Sequence, residues 1–231
     1  MMSLEFKGKV GLTTGQGAVF LPGASDKRTP EIDWDAVGVR GECELEHKFA
    51  DSIFYATWLE TKARYDLGIL GKGSKKHKVD TSFNFAKINL GPFRGLSFGL
   101  GLGGRLNYHN YPDDEIPFAL TRYVYGFELG MNYGLEHKKF FLDADVHTVL
   151  GYHNGVFSSP VRESIKGDAK YADLSCSLGF GWKITKKISL ETKLDYQFNP
   201  VKYKNVDDEL FCWNELNVSV GMNYRFSLKR S

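Results

Sequence analysis

The sequence predicts an all-β chain, an up-and-down antiparallel barrel of about ten strands whose greasy face points outward into a membrane. Three observations carry this. Large apolar residues alternate with small or polar ones in segment after segment. The connections between segments alternate short and long. Several segments run about 12–16 residues, where strands of soluble proteins usually have about 5–6.

The 231 residues suffice for one domain, expected to span 1–231 with a short polar tail at 227–231. Aromatics make up 14% and there are 25 glycines, both high, and hydrophobic residues reach 42% without any run approaching the roughly 18 apolar residues of a membrane helix. The net charge of +2 gives no basis for a nucleic-acid partner. The three cysteines, Cys43, Cys176 and Cys212, are too few and too scattered for a disulfide framework or a zinc site, so no metal or cofactor is expected. The start, MMSLEFKGKVG, lacks the apolar stretch of about 7–15 residues in a secretory leader, so either a leader has been removed and a Met start added or the chain stays in the cytoplasm.

Ten strands are expected over 4–15, 33–46, 52–67, 78–90, 95–108, 122–136, 139–152, 170–185, 187–199 and 212–227. Their even-numbered connections are short (47–51, 91–94, 137–138 and 185–187). The odd-numbered ones, such as 16–32 and 153–169, are long, about 10–18 residues against the usual hairpin loop of about 2–5. A meander with this alternation has its short turns and both termini at one end and its long loops at the other.

The fifth strand shows the two faces plainly. In GLSFGLGLGGRLNYH (95–109), Leu96, Phe98, Leu100 and Leu102 alternate with Ser97, Gly99, Gly101 and Gly103. The ninth sets Ile188, Leu190, Leu194, Tyr196 and Phe198 against Ser189, Glu191, Lys193, Asp195, Gln197 and Asn199. A soluble lipid-binding barrel would turn the greasy face inward. Here the polar faces are rich in Gly and Ser, which suits a crowded interior, and Tyr55, Tyr133, Tyr152, Trp182, Tyr196 and Tyr224 near strand ends suit an aromatic girdle. Leu100 should therefore face lipid, and Gly101 and Arg105 the lumen.

With this parity the lumen receives charges of both signs: Arg40, Glu42, Glu60, Lys62, Arg64, Arg105, Glu128, Asp143, Asp145, His147, Asp173, Glu191, Lys193 and Asp195. A ten-strand lumen is little wider than one that side chains just fill, so these charges are expected to pair and occupy it. If 137–138 is the tip of the sixth hairpin, Glu128 lies opposite His147. In the eighth hairpin, Ser177 lies opposite Asp195. The segment 72-KGSKKHK-78, with Lys72, Lys75, Lys76, His77 and Lys78, is expected as an extracellular basic loop that could meet lipopolysaccharide phosphates or host polyanions.

The C-terminal segment 218-VSVGMNYRF-226, with Tyr224 and Phe226, resembles the terminal strand of Gram-negative outer-membrane β-barrel proteins, although five residues follow Phe226. The resemblance spans the whole chain as a pattern. It implies an outer-membrane location, recognition of Tyr224 and Phe226 by the barrel assembly machinery, and a monomer surrounded by lipid and lipopolysaccharide. Ten-stranded omptin proteases belong to the same architecture and use an Asp-x-His pair with a separate Asp pair on the facing wall. Asp145 and His147, with Asp143 beside them, match the first pair; the second is missing from the third strand, which offers Arg64 and Asp66. The expected function is a non-enzymatic surface scaffold, adhesin-like with a host ligand on its long loops, or a narrow pore. An enzyme working through Asp145 and His147, protease or lipid-modifying, is the alternative, and a soluble lipid-binding barrel the third reading.

Overall fold

The computed structural model describes residues 2–20, 32–50, 54–70, 75–93, 95–111, 118–159, 162–203 and 210–230. Its strands are β1 (Met2–Phe20), β2 (Ile32–Ala50), β3 (Phe54–Leu70), β4 (Lys75–Phe93), β5 (Leu96–Tyr111), β6 (Phe118–His137), β7 (Phe140–Ser159), β8 (Arg162–Ala172), β9 (Leu174–Lys183), β10 (Ile188–Tyr203) and β11 (Leu210–Arg230). Consecutive strands pair antiparallel from β1 to β8. Only Asp173 separates β8 from β9, and both pair with β7 on one side and β10 on the other, so they form one interrupted wall. β10 pairs with β11, and β11 pairs with β1 from Met2↔Arg230 to Phe20↔Cys212, which brings the first and last strands together.

The strands outrun the sequence expectation, mainly at the long-loop end. The expected loop 153–169 is mostly ladder, with Asn154 opposite Asp168 and Phe157 opposite Ile165. Alternation reports a strand only where one face meets lipid; beyond the apolar belt apolar and polar residues are mixed on both faces, the pattern disappears, and backbone pairing continues. For the same reason Lys75, Lys76, His77 and Lys78 open β4 instead of forming a loop, with Gly68 opposite Lys76 and Asp66 opposite Lys78. Lys72 and the side chains of the other four lie outside the described residues. The expected polar tail likewise continues β11 to Arg230, paired with the start of β1.

The outward face is apolar. Val10, Leu12, Leu100, Phe127, Phe180 and Met222 are each more than half exposed, while Gly101 is buried. Among the described residues the buried hydrophobic side chains are only Ala36, Val124 and Val149, whereas Arg40, Glu215, Asn217 and Ser219 are 0–2% exposed. This is the inverse of a soluble barrel, in which apolar surface would be removed from water. Cys43, on the outward parity, is exposed, and Cys176 half-buried.

Aromatic rings border the apolar belt. Near the short-turn end Phe140 lies 5.1 Å from Trp182, and higher on the wall Tyr125 stacks on Tyr152 at 5.9 Å. Phe140 and Tyr152 share β7 and are about 40 Å apart along it at roughly 3.3 Å per residue. A tilt of roughly 35–45° leaves about 30 Å of height, close to the apolar band of a membrane barrel.

The sixth hairpin corrects its expected register. Its turn is Lys138–Lys139, with Lys138 at φ 54°, so Glu128 faces Val149 and His147 faces Gly130. Moving each strand by one residue preserves which side chains face inward, so polarity cannot choose between the two registers and turn geometry does. The eighth hairpin places Ser177 opposite Asp195, as its sequence predicts.

Candidate functional site

The lumen gathers the chain's polar chemistry. Its most buried side chain, Arg40, projects inward from β2 and reaches Asp195 on β10 at 2.8 Å. Two strands, β1 and β11, stand between them. The guanidinium can pass because the intervening inward positions are small: Gly11 and Thr13 on β1, Ser219 and Gly221 on β11. Gly11 and Gly221 sit opposite each other so closely that a Cβ on Gly11 would lie 2.3 Å from the Val220 carbonyl oxygen. Glu42 lies 3.9 Å from Arg40, and Lys193 lies 3.1 Å from Asp195, so the buried charges form a four-member cluster. Such burial is tolerated only when each charge has partners.

Below this cluster, toward the short turns, a second group continues the pairing. Lys9 contacts Glu191 at 3.3 Å and Ser219 at 3.5 Å, and Asn223 donates to the same Glu191 carboxylate. Lys7 bonds Glu44 and lies 3.9 Å from Glu46; Arg225 meets Glu5 at 2.8 Å; Lys183 meets Glu136. All of these residues except Glu5 and Ser219 line a cavity of about 760 Å³ that reaches from the turn at Lys186 and Lys187 up to Asp195 and Glu128.

Asp145 and His147 line the same cavity, with His147 Nδ1 3.0 Å from Asp145 Oδ2. Their registers place Asn132 and Gly130 on one side and Ser177 and Ser175 on the other. No carboxylate pair stands opposite them on these neighbouring strands. Asp143 sits one inward step lower, opposite Gly134 and Gly179. No group of three or more His, Cys, Asp or Glu able to hold a metal ion occurs among the described residues.

The expected charge network is thus assembled around Arg40, Glu42, Glu191, Lys193 and Asp195. The Asp173 carboxylate accepts the Val149 N–H at 2.6 Å while its carbonyl accepts the Thr148 hydroxyl, so it ties the interrupted strand to β7. Glu128 is buried opposite Gly101 and Val149. The side chains of Glu60, Lys62, Arg64 and Arg105 lie outside the described residues; their backbones sit opposite Glu46, Glu44, Glu42 and Val124. Glu5 and Glu46 join the lumen unanticipated, because they lie near strand ends where the sequence pattern stops, although parity with Lys7 and Glu44 would have found them.

Against solved structures, the chain is similar to the outer-membrane protease OmpT of Escherichia coli, with 10% identity, 97% of each chain covered and a TM-score of 0.50. It is also similar to the outer-membrane protein OprG of Pseudomonas aeruginosa, with 11% identity over 96% of this chain and 95% of that one and a TM-score of 0.36. Ail, the attachment invasion locus protein of Yersinia pestis, shares 10% identity over 96% of this chain and 99% of its own, with a TM-score of 0.28. No protein-family profile and no curated protein matches. At these identities the likeness concerns the fold alone, and the OmpT superposition carries it. The chain has the fold of bacterial outer-membrane β-barrels, and its belt of outward apolar side chains is the surface that such a barrel turns to lipid.

Proposed function

We propose that this outer-membrane barrel is a non-enzymatic surface scaffold whose lumen is closed by side chains. The observation that carries the reading is the fully buried Arg40–Asp195 pair, which spans the lumen-facing side of four adjacent strands. A wide pore holds its wall charges in water; here the guanidinium has no exposure at all. Recognition is assigned to the end where the strands lead into 21–31, 71–74, 112–117, 160–161 and 204–209, with lipopolysaccharide or a host surface polyanion as ligand. Assembly would use Tyr224 and Phe226, which face outward near the short-turn end.

Planar-bilayer recording tests the closed lumen. The parent protein should give no ion-conducting steps, and the double variant Arg40→Gly with Asp195→Gly should give small ones. Steady conductance in the parent would sink the closed-lumen reading.

A hydrolytic reading has one observation in its favour, the formed Asp145–His147 pair at the wall of an open cavity. It requires peptide or acyl-ester cleavage by the refolded parent that disappears in both Asp145→Ala and His147→Ala.

A further inference from the structure

Two neighbouring turns at the short-turn end carry lysines and no acidic residue. One is 137-HKK-139, between β6 and β7; the other is 184-ITKK-187, between β9 and β10. The Lys183 N–H donates to the Lys139 carbonyl at 2.7 Å, and the Arg225 N–H donates to the Lys187 carbonyl at 2.9 Å, so the turns and the adjacent β11 form one continuous rim. Lys138, Lys139, Lys186 and Lys187 are all exposed. The neighbouring carboxylates are already engaged, Glu136 by Lys183 and Glu5 by Arg225.

The rim borders the lower aromatic belt directly. Phe140 follows Lys139 in the chain and packs against Phe180 and Trp182. The ammonium of Lys187 lies over the outward Phe226 ring, 5.8 Å from its centre. That contact holds a cation on the lipid-facing side of the wall, at the level where the belt ends. Aromatic side chains of this kind sit at headgroup depth, and lysines placed there are attracted to anionic lipid.

We propose that this rim binds the headgroups of anionic phospholipids in the leaflet on the short-turn side. The lysines supply charge to the phosphates while Phe140, Trp182 and Phe226 contact the upper acyl chains. The Lys187–Phe226 contact favours lipid over a soluble acidic partner, because it sets that cation against the outward aromatic wall where the belt ends.

The test uses the refolded full chain in phosphatidylcholine vesicles containing a minor fraction of spin-labelled phosphatidylglycerol or spin-labelled phosphatidylcholine. The parent should immobilise the anionic probe about tenfold more strongly at low salt, and high salt should reduce the preference sharply. The variant Lys138→Glu, Lys139→Glu, Lys186→Glu, Lys187→Glu should lose it, and the four-arginine variant should keep it. An equal preference for both probes in the parent overturns the proposal, as does a preference that survives charge reversal. Should the reversed variant fail to fold, the salt series on the parent decides alone: a salt-insensitive preference excludes the lysines as its source. Binding of a soluble acidic polymer with no lipid preference would assign the rim to a different partner and also overturn the proposal.

Discussion

Arg40 on β2 and Asp195 on β10 meet at 2.8 Å although β1 and β11 lie between their strands. Their contact ties wall segments from opposite ends of the sequence across the seam where the first strand meets the last. Removing Arg40 leaves the carboxylates of Asp195 and Glu42 against Lys193 in the four-member cluster, a net negative charge in a buried site. Arg40→Ala should therefore destabilise the barrel by about 3–5 kcal/mol, and the volume-matched double variant Arg40→Met with Asp195→Leu by much less. Urea unfolding in vesicles or detergent, followed by heat-modifiable gel migration, measures both. Equal losses in the two variants would show that the pair does not act as a unit.

The close approach of Gly11 and Gly221 predicts a contrast among glycines. Gly11→Ala forces its Cβ against the Val220 carbonyl and should cost about 1–3 kcal/mol through displaced backbone. Gly41→Ala meets nothing within 4 Å, so its effect should stay within about 0.5 kcal/mol. Unfolding midpoints of the two variants, measured side by side, check the prediction.

Depth in the membrane predicts a strong asymmetry between two outward leucines of different strands, Leu100 on β5 and Leu228 on β11. Leu100 is 55% exposed on the outward face, so Leu100→Arg should cost about 2–4 kcal/mol for insertion into a bilayer. Leu228, outward but beyond Phe226 and close to the end of β11, should tolerate the same change with a loss of about 0–1 kcal/mol. Folding yields into vesicles of fixed composition compare the two, and similar losses would contradict the assigned depth.

The register of the β6–β7 hairpin can be read chemically. Cysteines replacing Gly130 and His147 lie on directly opposed positions and should cross-link under mild oxidation, because opposed Cβ atoms approach to about 4.5–5.5 Å. Cysteines replacing Glu128 and His147 are one step out of register and should cross-link more slowly. The reverse order of rates would restore the register with its turn at 137–138. Both pairs are built in a background lacking the three native cysteines.

Much of the fold was legible in the residues themselves. Leu96 to Gly103 announce a strand with one large apolar face, and repetition of that pattern through Trp182, Leu194 and Val220 fixes which side meets lipid. Ser177 opposite Asp195 followed from a short turn. What escaped was whatever does not touch lipid. The upper strand extensions, such as Asn154 to Ser159 and Arg162 to Asp168, carry no alternation because their few apolar residues, Val156, Phe157 and Ile165, do not keep to one face against polar neighbours. The Lys138 turn slipped by one residue per strand because the slip leaves every side chain on its own face.

By itself the sequence determined the class of the protein and its inside and outside, and named several of the charges that the described residues bring together in the lumen, because each of these follows from the two-residue period of a strand. Only the tertiary structure decided which charges meet. Arg40 and Asp195 are 155 positions apart in the chain. Their contact depends on how far each strand is staggered against the next around the whole barrel, and on a row of small residues between them that lets one long side chain cross. Stagger accumulates from every hairpin, so no local pattern contains it.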